Sequence, residues 1–260
     1  MPGTVSQKSG AIFACLAAVA LLGGASTAAQ SAAAEKPRLY TYVAEWGIPR
    51  AMWADYQKQE AGNLETMKKA VADGTLVAFG SYAVINHQEG EATHGTWFSA
   101  ASMANLLKVL EGLRSSPAST SPVLAASKHR DFILRSETYN AHSGTFTNGY
   151  LRVGSWPAKA GGDDPDGKIT KATMGAMLEK LLAGGALHAY QLDEEAVHSG
   201  DPGTLYVAIV SNGAEGLDKF EAAIEEMGKS NPAAMAGFGT LIERHGHRDM
   251  LARVDTMMHK

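Results

Sequence analysis

Apolar positions along this chain switch between a two-residue and a helical period, in one order over residues 39–139 and in the same order over 150–257. Leu39 to Trp46 alternates and is rich in aromatic and β-branched residues, which predicts a strand. Pro49 to Ala72 places Leu64, Met67, Ala70 and Val71 on one helical face, and Asp73-Gly74 ends it. Leu76 to Asn86 and Thr93 to Ser99 read as a pair of strands around the loop His87 to Ala92. Ser102 is the N-cap of a helix through Leu113, and a final strand covers Phe132 to Tyr139. The second series is a strand at Tyr150 to Trp156, a helix at Ile169 to Ala183 closed by Gly184-Gly185, and strands at Leu187 to Val197 and Thr204 to Ser211. A helix around Leu217 to Met227 and a strand at Met250 to Met257 complete it.

A repeated phrase supports an internal duplication. His129-Arg130-Asp131, three apolar residues, Arg135 and Glu137-Thr138 recur as His247-Arg248-Asp249, three apolar residues, Arg253 and Asp255-Thr256. Gly74/Gly185, Leu76/Leu187, His87/His198, Thr93/Thr204 and Leu106/Leu217 align at one constant offset, and Tyr40/Tyr150 and Trp46/Trp156 align once one residue is dropped. The expected organisation is residues 1–34 as a signal peptide, 35–140 as the first repeat, 141–148 as a polar linker and 149–260 as the second repeat.

A β-α-β-β-α-β unit is the ferredoxin-like split motif, with strand order 4-1-3-2 and both helices on one face. The other face of each sheet must be buried, and two copies in one chain can bury theirs against each other. The fold class expected is therefore α+β: two ferredoxin-like repeats packed sheet to sheet as an intramolecular α/β barrel. With the helix stops Ala72-Asp73-Gly74-Thr75-Leu76 and Ala183-Gly184-Gly185-Ala186-Leu187, and the hairpin His198 to Thr204, the chain resembles a tandem, fused member of the dimeric α/β-barrel superfamily. That superfamily includes cofactor-free monooxygenases, isomerases, haem enzymes and proteins without known activity. The resemblance therefore implies a fold and leaves the activity to the site.

Alternation then assigns faces. With Val43 and Val153 toward the helices, Tyr40, Tyr42 and Trp46 point into the barrel from one repeat, and Tyr150, Arg152 and Trp156 from the other. His188 and Tyr190 share one face of their strand. With Phe132/Leu134 and Met250/Ala252 packed on helices, Arg135, Glu137, Arg253 and Asp255 face inward. A one-residue slip on any strand reverses its set. The inward charges are either ladder salt bridges that knit the barrel or groups that a ligand completes. Trp46/Trp156, His87/His198 and the two His-Arg-Asp triplets are expected at one rim. There Asp131 and Asp249 cap loop amides, or His129 or His247 exchanges protons.

Composition narrows the classes. Lys8 followed by the apolar run Ala11 to Ala25 and small residues up to Ala34 reads as a secretory signal. It is shorter than the roughly 20 residues a spanning helix needs. Cys15, the only cysteine, lies within it, so the expected mature chain has no disulfide and no thiolate site. A net charge of −4 with interspersed signs gives no nucleic-acid footprint. Asp164 to Thr170 resembles part of an EF-hand, but Gly162 and Thr173 stand where the first and twelfth ligands belong. No metal site is expected, although His245 and His247 would share a side in an extended segment.

The leading expectation is a secreted, periplasmic protein that binds a small, partly aromatic or apolar molecule in the cavity between its repeats. Its ligand-binding set is Tyr40, Tyr42, Trp46, Tyr150, Arg152, Trp156, Tyr190, Arg135 and Arg253. One alternative is a cofactor-independent monooxygenase or isomerase in which His188 or a rim histidine is the base and Arg152 or Arg253 stabilises an oxyanion. The other is a non-catalytic structural or interaction protein, and the residues alone leave open whether the chain is an enzyme. No cofactor is expected; haem, with His188 as the inward candidate, enters only through the resemblance. The expected state is a monomer with an internal pseudo-dimer, with neither nucleic acid nor membrane as partner after signal removal.

Overall fold

A computed structural model describes residues 36–260 apart from 163, 165, 166 and 198–202, and the side chains of 117, 118 and 137 also fall outside the description. The signal sequence, most of the His198 hairpin and the side chain of Glu137 therefore lie outside the described residues.

The first half runs β1 (Leu39–Gly47), α1 (Trp53–Ala72), β2 (Ala78–Val84), β3 (His94–Ala100), α2 (Met103–Arg114), a short α3 (Pro122–Ala125) and β4 (Lys128–Ala141). β5 (Gly144–Phe146) leads to the second half: β6 (Tyr150–Trp156), α4 (Lys168–Thr170), α5 (Ala176–Ala183), β7 (Leu187–Val197), β8 (Leu205–Ser211), α6 (Ala214–Ser230), α7 (Pro232–Leu241) and β9 (Arg248–His259). Local chemistry sets the boundaries. The Ser102 hydroxyl accepts the Asn105 amide at the start of α2. Gly74 and Gly185, with φ of +83° and +69°, supply the left-handed turns just past α1 and α5.

The strands pair in the order β2-β3-β1-β4-β7-β8-β6-β9, and β9 returns to β2, so an eight-stranded antiparallel sheet closes on itself. Each half contributes the 4-1-3-2 order expected of it. Closure uses two seams, β4 with β7 and β9 with β2, and β5 extends the end of β9. Helices cover the outside. α1 and α2 bury Met67, Val71, Leu106 and Leu110 against Tyr42, Phe79 and Phe98, while Leu178, Leu182, Phe220, Phe238 and Leu241 do the same in the second half.

Three elements differ from the sequence reading. The stretch assigned as a polar linker is taken up by the end of β4 and by β5. The helix expected over Ile169 to Ala183 is interrupted by a π turn at Lys171–Gly175. α7 was not anticipated, although its start is legible: the Asn231 side chain accepts the Ala234 amide and Pro232 takes the first turn, where no N–H is needed. The loop resembling an EF-hand is a helix entry, since the Asp164 carboxylate accepts the Ile169 and Thr170 amides and the Thr170 hydroxyl.

Candidate functional site

The barrel encloses a chamber of about 1020 Å³. Thr41, Val43 and Glu45 line it from β1, Tyr82 and Val84 from β2, Trp97 and Ser99 from β3, and Arg130, Phe132 and Leu134 from β4. The second half adds Leu151, Val153 and Ser155, then Ala189, Gln191, Asp193 and Glu195, then Tyr206, Ala208 and Val210. Two glycines make room for its rings. A β-carbon on Gly80 would meet the Trp97 indole at 2.6 Å, and one on Gly95 would overlap the Tyr82 ring. Phe132 and Tyr206 stack at 5.5 Å, and the Arg130 guanidinium lies 5.0 Å from the Phe132 centroid while pairing with Glu45 at 2.9 Å.

Midway along the barrel the polar groups converge. Thr41 and Ser99 share a 2.7 Å hydrogen bond. Gln191 Nε2 lies 2.8 Å from the Thr41 hydroxyl, 2.7 Å from that of Ser136 and 2.8 Å from Asp193 Oδ1. The Ser136 hydroxyl also donates to Asp193 Oδ1. Burial pushes the Asp193 carboxyl up to about 7 against the pull of those two donors. A group that titrates at neutrality inside an apolar chamber is suited to exchanging a proton or to ordering a polar ligand. The sequence does carry a trace of it: Gln191, Asp193 and Glu195 recur at the period of two along one strand.

The faces assigned to β1, β4, β6 and β9 are reversed. Val43, Val153, Phe132 and Leu134 look into the chamber. Tyr40, Tyr42 and Trp46 pack in the cluster under α1 and α2, and Trp156 under the helices of the second half. Tyr150 and Arg152 share the Trp156 side of β6. Tyr190 borders the chamber, but its ring packs into the helix-side core and its hydroxyl donates to Glu179 of α5 at 2.6 Å. Arg135 pairs with Glu194 across the β4–β7 seam at 2.8 Å, outside the barrel, and exposed Arg253 reaches Asn148 Oδ1 at 3.3 Å. The physical reason is that both faces of these strands are buried, one by helices and one by the opposite barrel wall. The alternation of polar and apolar residues that normally fixes register is therefore absent.

His188 does not line the chamber. Its ring lies on Phe146 at 4.1 Å and 12°, its Nε2 has no hydrogen-bond partner, and burial lowers its pKa to about 4, reinforced by His142 and His259. A ring this hard to protonate is a poor base at neutral pH.

A second cavity of about 500 Å³ lies between the outer face of β6 and β8 and helices α6 and α7. Met174, Ile209, Phe220 and Phe238 form its apolar wall, and Arg152, Arg244, His247 and Asp249 its polar edge. The His247 ring lies flat on Trp156 (4.6 Å, 2°), with Nε2 3.4 Å from Asp249 Oδ2. Arg152 pairs with Glu221 and, at 3.4 Å, with Asp249. Trp46 stacks on His129 at the corresponding place in the first half. There, however, Tyr42 stands where Arg152 does, and its ring fills the space by packing on Phe98 at 5.2 Å. Among the described residues no three His, Cys, Asp or Glu side chains cluster as a metal site.

No family profile matches the chain, and no curated protein matches it in sequence. Solved structures do. A protein from Lactobacillus acidophilus described as a putative monooxygenase superposes with a TM-score of 0.61 at 10% identity, covering 86% of this chain and 97% of that one. A second protein so described, from Fusobacterium nucleatum, gives 0.58 at 9% identity over 86% and 94%. A haem-binding protein from Thermus thermophilus gives 0.52 at 12% identity over 84% and 92%. The fold is a fused dimeric α/β barrel. At these identities the likeness of the barrel to its neighbours speaks for architecture, and its chemistry has to be read from its own side chains.

Proposed function

We propose that this chain is exported and holds a small, partly aromatic or apolar molecule in the chamber between its two halves. The chamber itself supports this reading: a volume suited to a small ligand, mostly apolar and aromatic walls, and a few polar groups converging at Asp193. Native mass spectrometry of protein taken directly from cells is expected to show a retained small molecule. Ala208→Trp, which puts an indole into the space beside Gln191, is expected to remove that mass while the circular dichroism stays unchanged. A retained mass that survives the indole would count against the chamber.

A second reading, as a cofactor-independent monooxygenase, is favoured by the edge of the smaller cavity and accords with two structural neighbours described as putative monooxygenases. There His247, held by Asp249 and Trp156, accepts a proton from an acidic phenol or enol. The Arg152 guanidinium stabilises the anion left behind. The anion then passes electrons to dioxygen, one oxygen atom entering the product and the other leaving as water with the two hydrogens removed from the substrate. Arg152→Ala is expected to lower oxygen consumption on a hydroxylated aromatic by about 10²–10³-fold, the usual loss for a removed oxyanion donor. His247→Ala is expected to lower the same rate by about 10²–10⁴-fold, the usual contribution of a positioned base. An unchanged rate in both variants would eliminate this reading.

One structural neighbour, from Thermus thermophilus, is a haem-binding protein. The residue that sequence offered as its axial ligand does not fit, because the His188 ring is covered by Phe146 and lines neither cavity.

A further inference from the structure

We infer that the chamber's ligand is an organic cation, an ammonium or amidinium group on an aromatic or apolar body, with its charge seated against Asp193. This rests on the proposal that the chamber binds a small molecule, and adds the class of that molecule.

The geometry begins with the two oxygens of Asp193. Ser136 and Gln191 both donate to Oδ1. Oδ2 has no hydrogen-bond partner among the described residues, although the residue is only 6% exposed and lines the chamber. An ionised carboxylate only accepts, so whatever completes Oδ2 must bring a donor. The protein brings none. No basic side chain acts on Asp193: of the two arginines of β4, Arg135 points outward to Glu194 and Arg130 is committed to Glu45.

The walls suit the same class. Tyr206 stands directly across the β7–β8 ladder from Asp193 and stacks on Phe132, while Trp97 and Tyr82 line the barrel opposite. Aromatic faces combined with carboxylates are the usual recognition of alkylammonium and related cations. One such contact already exists here, with Arg130 over Phe132. An anionic ligand would meet the Asp193 carboxylate, whose donors are both spent on Oδ1, and a purely apolar one would leave Oδ2 desolvated and unpaired.

A cation holds Asp193 ionised, so its binding expels the proton that burial retains up to a pKa of about 7. The groups facing Asp193 are Ser136 of β4, Gln191 and Glu195 of β7, Tyr206 of β8 and Thr41 of β1, with Arg130 and Glu45 nearer the mouth. Tyr206 is raised far above neutrality by burial and by Glu195, so Asp193 dominates the titration in the neutral range. Affinity for a cation therefore rises with pH up to about 7 and levels off, whereas a neutral hydrogen-bond acceptor would prefer the protonated acid and show the opposite slope.

The test is calorimetry on the purified protein with naphthylmethylammonium, the neutral naphthylmethanol and the anionic naphthoate, at about pH 5 and about pH 8. The expected result is at least a tenfold preference for the ammonium over the alcohol near pH 8, shrinking about tenfold near pH 5 (1.4 kcal/mol by the standard conversion). Asp193→Asn, checked for folding by circular dichroism, is expected to abolish both the preference and its pH dependence. Equal affinity for ammonium and alcohol, or a preference for naphthoate, overturns the charge assignment while leaving the chamber as a binding site. If no probe binds and Ala208→Trp leaves the cell-derived mass in place, the chamber reading fails with it.

Discussion

Asp193→Asn is expected to make the folded protein more stable near pH 8, by about 2–4 kcal/mol, and to lose that advantage as the pH falls toward 4. The sign follows from linkage. In the unfolded chain Asp193 titrates near its ordinary value, whereas in the barrel burial raises it to about 7. Between those values the native state binds more protons than the unfolded one, so stability falls as pH rises through the window. Above about 7 the full penalty of a buried charge is present; below about 4 it is gone. Asparagine keeps the shape and can still accept from Ser136 and Gln191, but it carries no charge. Chemical denaturation of wild type and variant at several pH values measures the difference directly. A variant less stable than wild type near pH 8 would mean that the carboxylate is satisfied in the native barrel. A natural sequence that retains a carboxylate at such a cost points to a use for it, since stability is commonly given up at functional positions.

Gly216→Ala is expected to destabilise the protein by about 1–3 kcal/mol, lowering the thermal midpoint by roughly 2–4 °C for each kcal/mol. Gly216 lies in the first turn of α6, where a β-carbon would overlap the backbone carbonyl oxygen of Ala186 and stand 3.0 Å from Ser211 Cβ. A carbonyl fixed at the start of a strand does not move aside as a side chain would, so the helix has to lift. α6 also carries Phe220, Glu221 and Ile224 to the smaller cavity, and the same lift is expected to loosen the Arg152–Glu221 pair. Gly228→Ala, on the same helix with nothing within 4 Å of its β-carbon, is the control. It should be neutral or stabilising by up to about 1 kcal/mol, as expected for Gly to Ala in an open helical position. Thermal melts of the two variants separate a packing effect from a propensity effect.

How much could be read in advance varied with how local the determinants were. The helix stops at Gly74 and Gly185 and the cap at Ser102 depend on a few neighbouring residues, and they stand where the sequence placed them. The stacks of Trp46 on His129 and of Trp156 on His247 follow from strand order alone, because that order brings the end of one strand beside the start of another. The inward faces did not follow. Along β1 both sets, Tyr40-Tyr42-Trp46 and Leu39-Thr41-Val43, are compatible with burial, and the aromatic set is the one that packs on the helices. Placing Val43 and Val153 toward the helices sends the rings inward, yet rings of that size also fill the larger gap between a sheet and its helices.

By itself the chain determined the order of the main strands and helices, the helix stops at Gly74 and Gly185 and the strand order within each half, because propensity, spacing and capping act over a few residues. The tertiary structure decided which side of each strand lines the chamber and that Asp193 titrates near neutrality. It also left an opening beside Arg152 where the first half has a ring. Those properties arise from the β4–β7 and β9–β2 seams, where segments distant in sequence share hydrogen bonds, and from burial that only a closed barrel imposes.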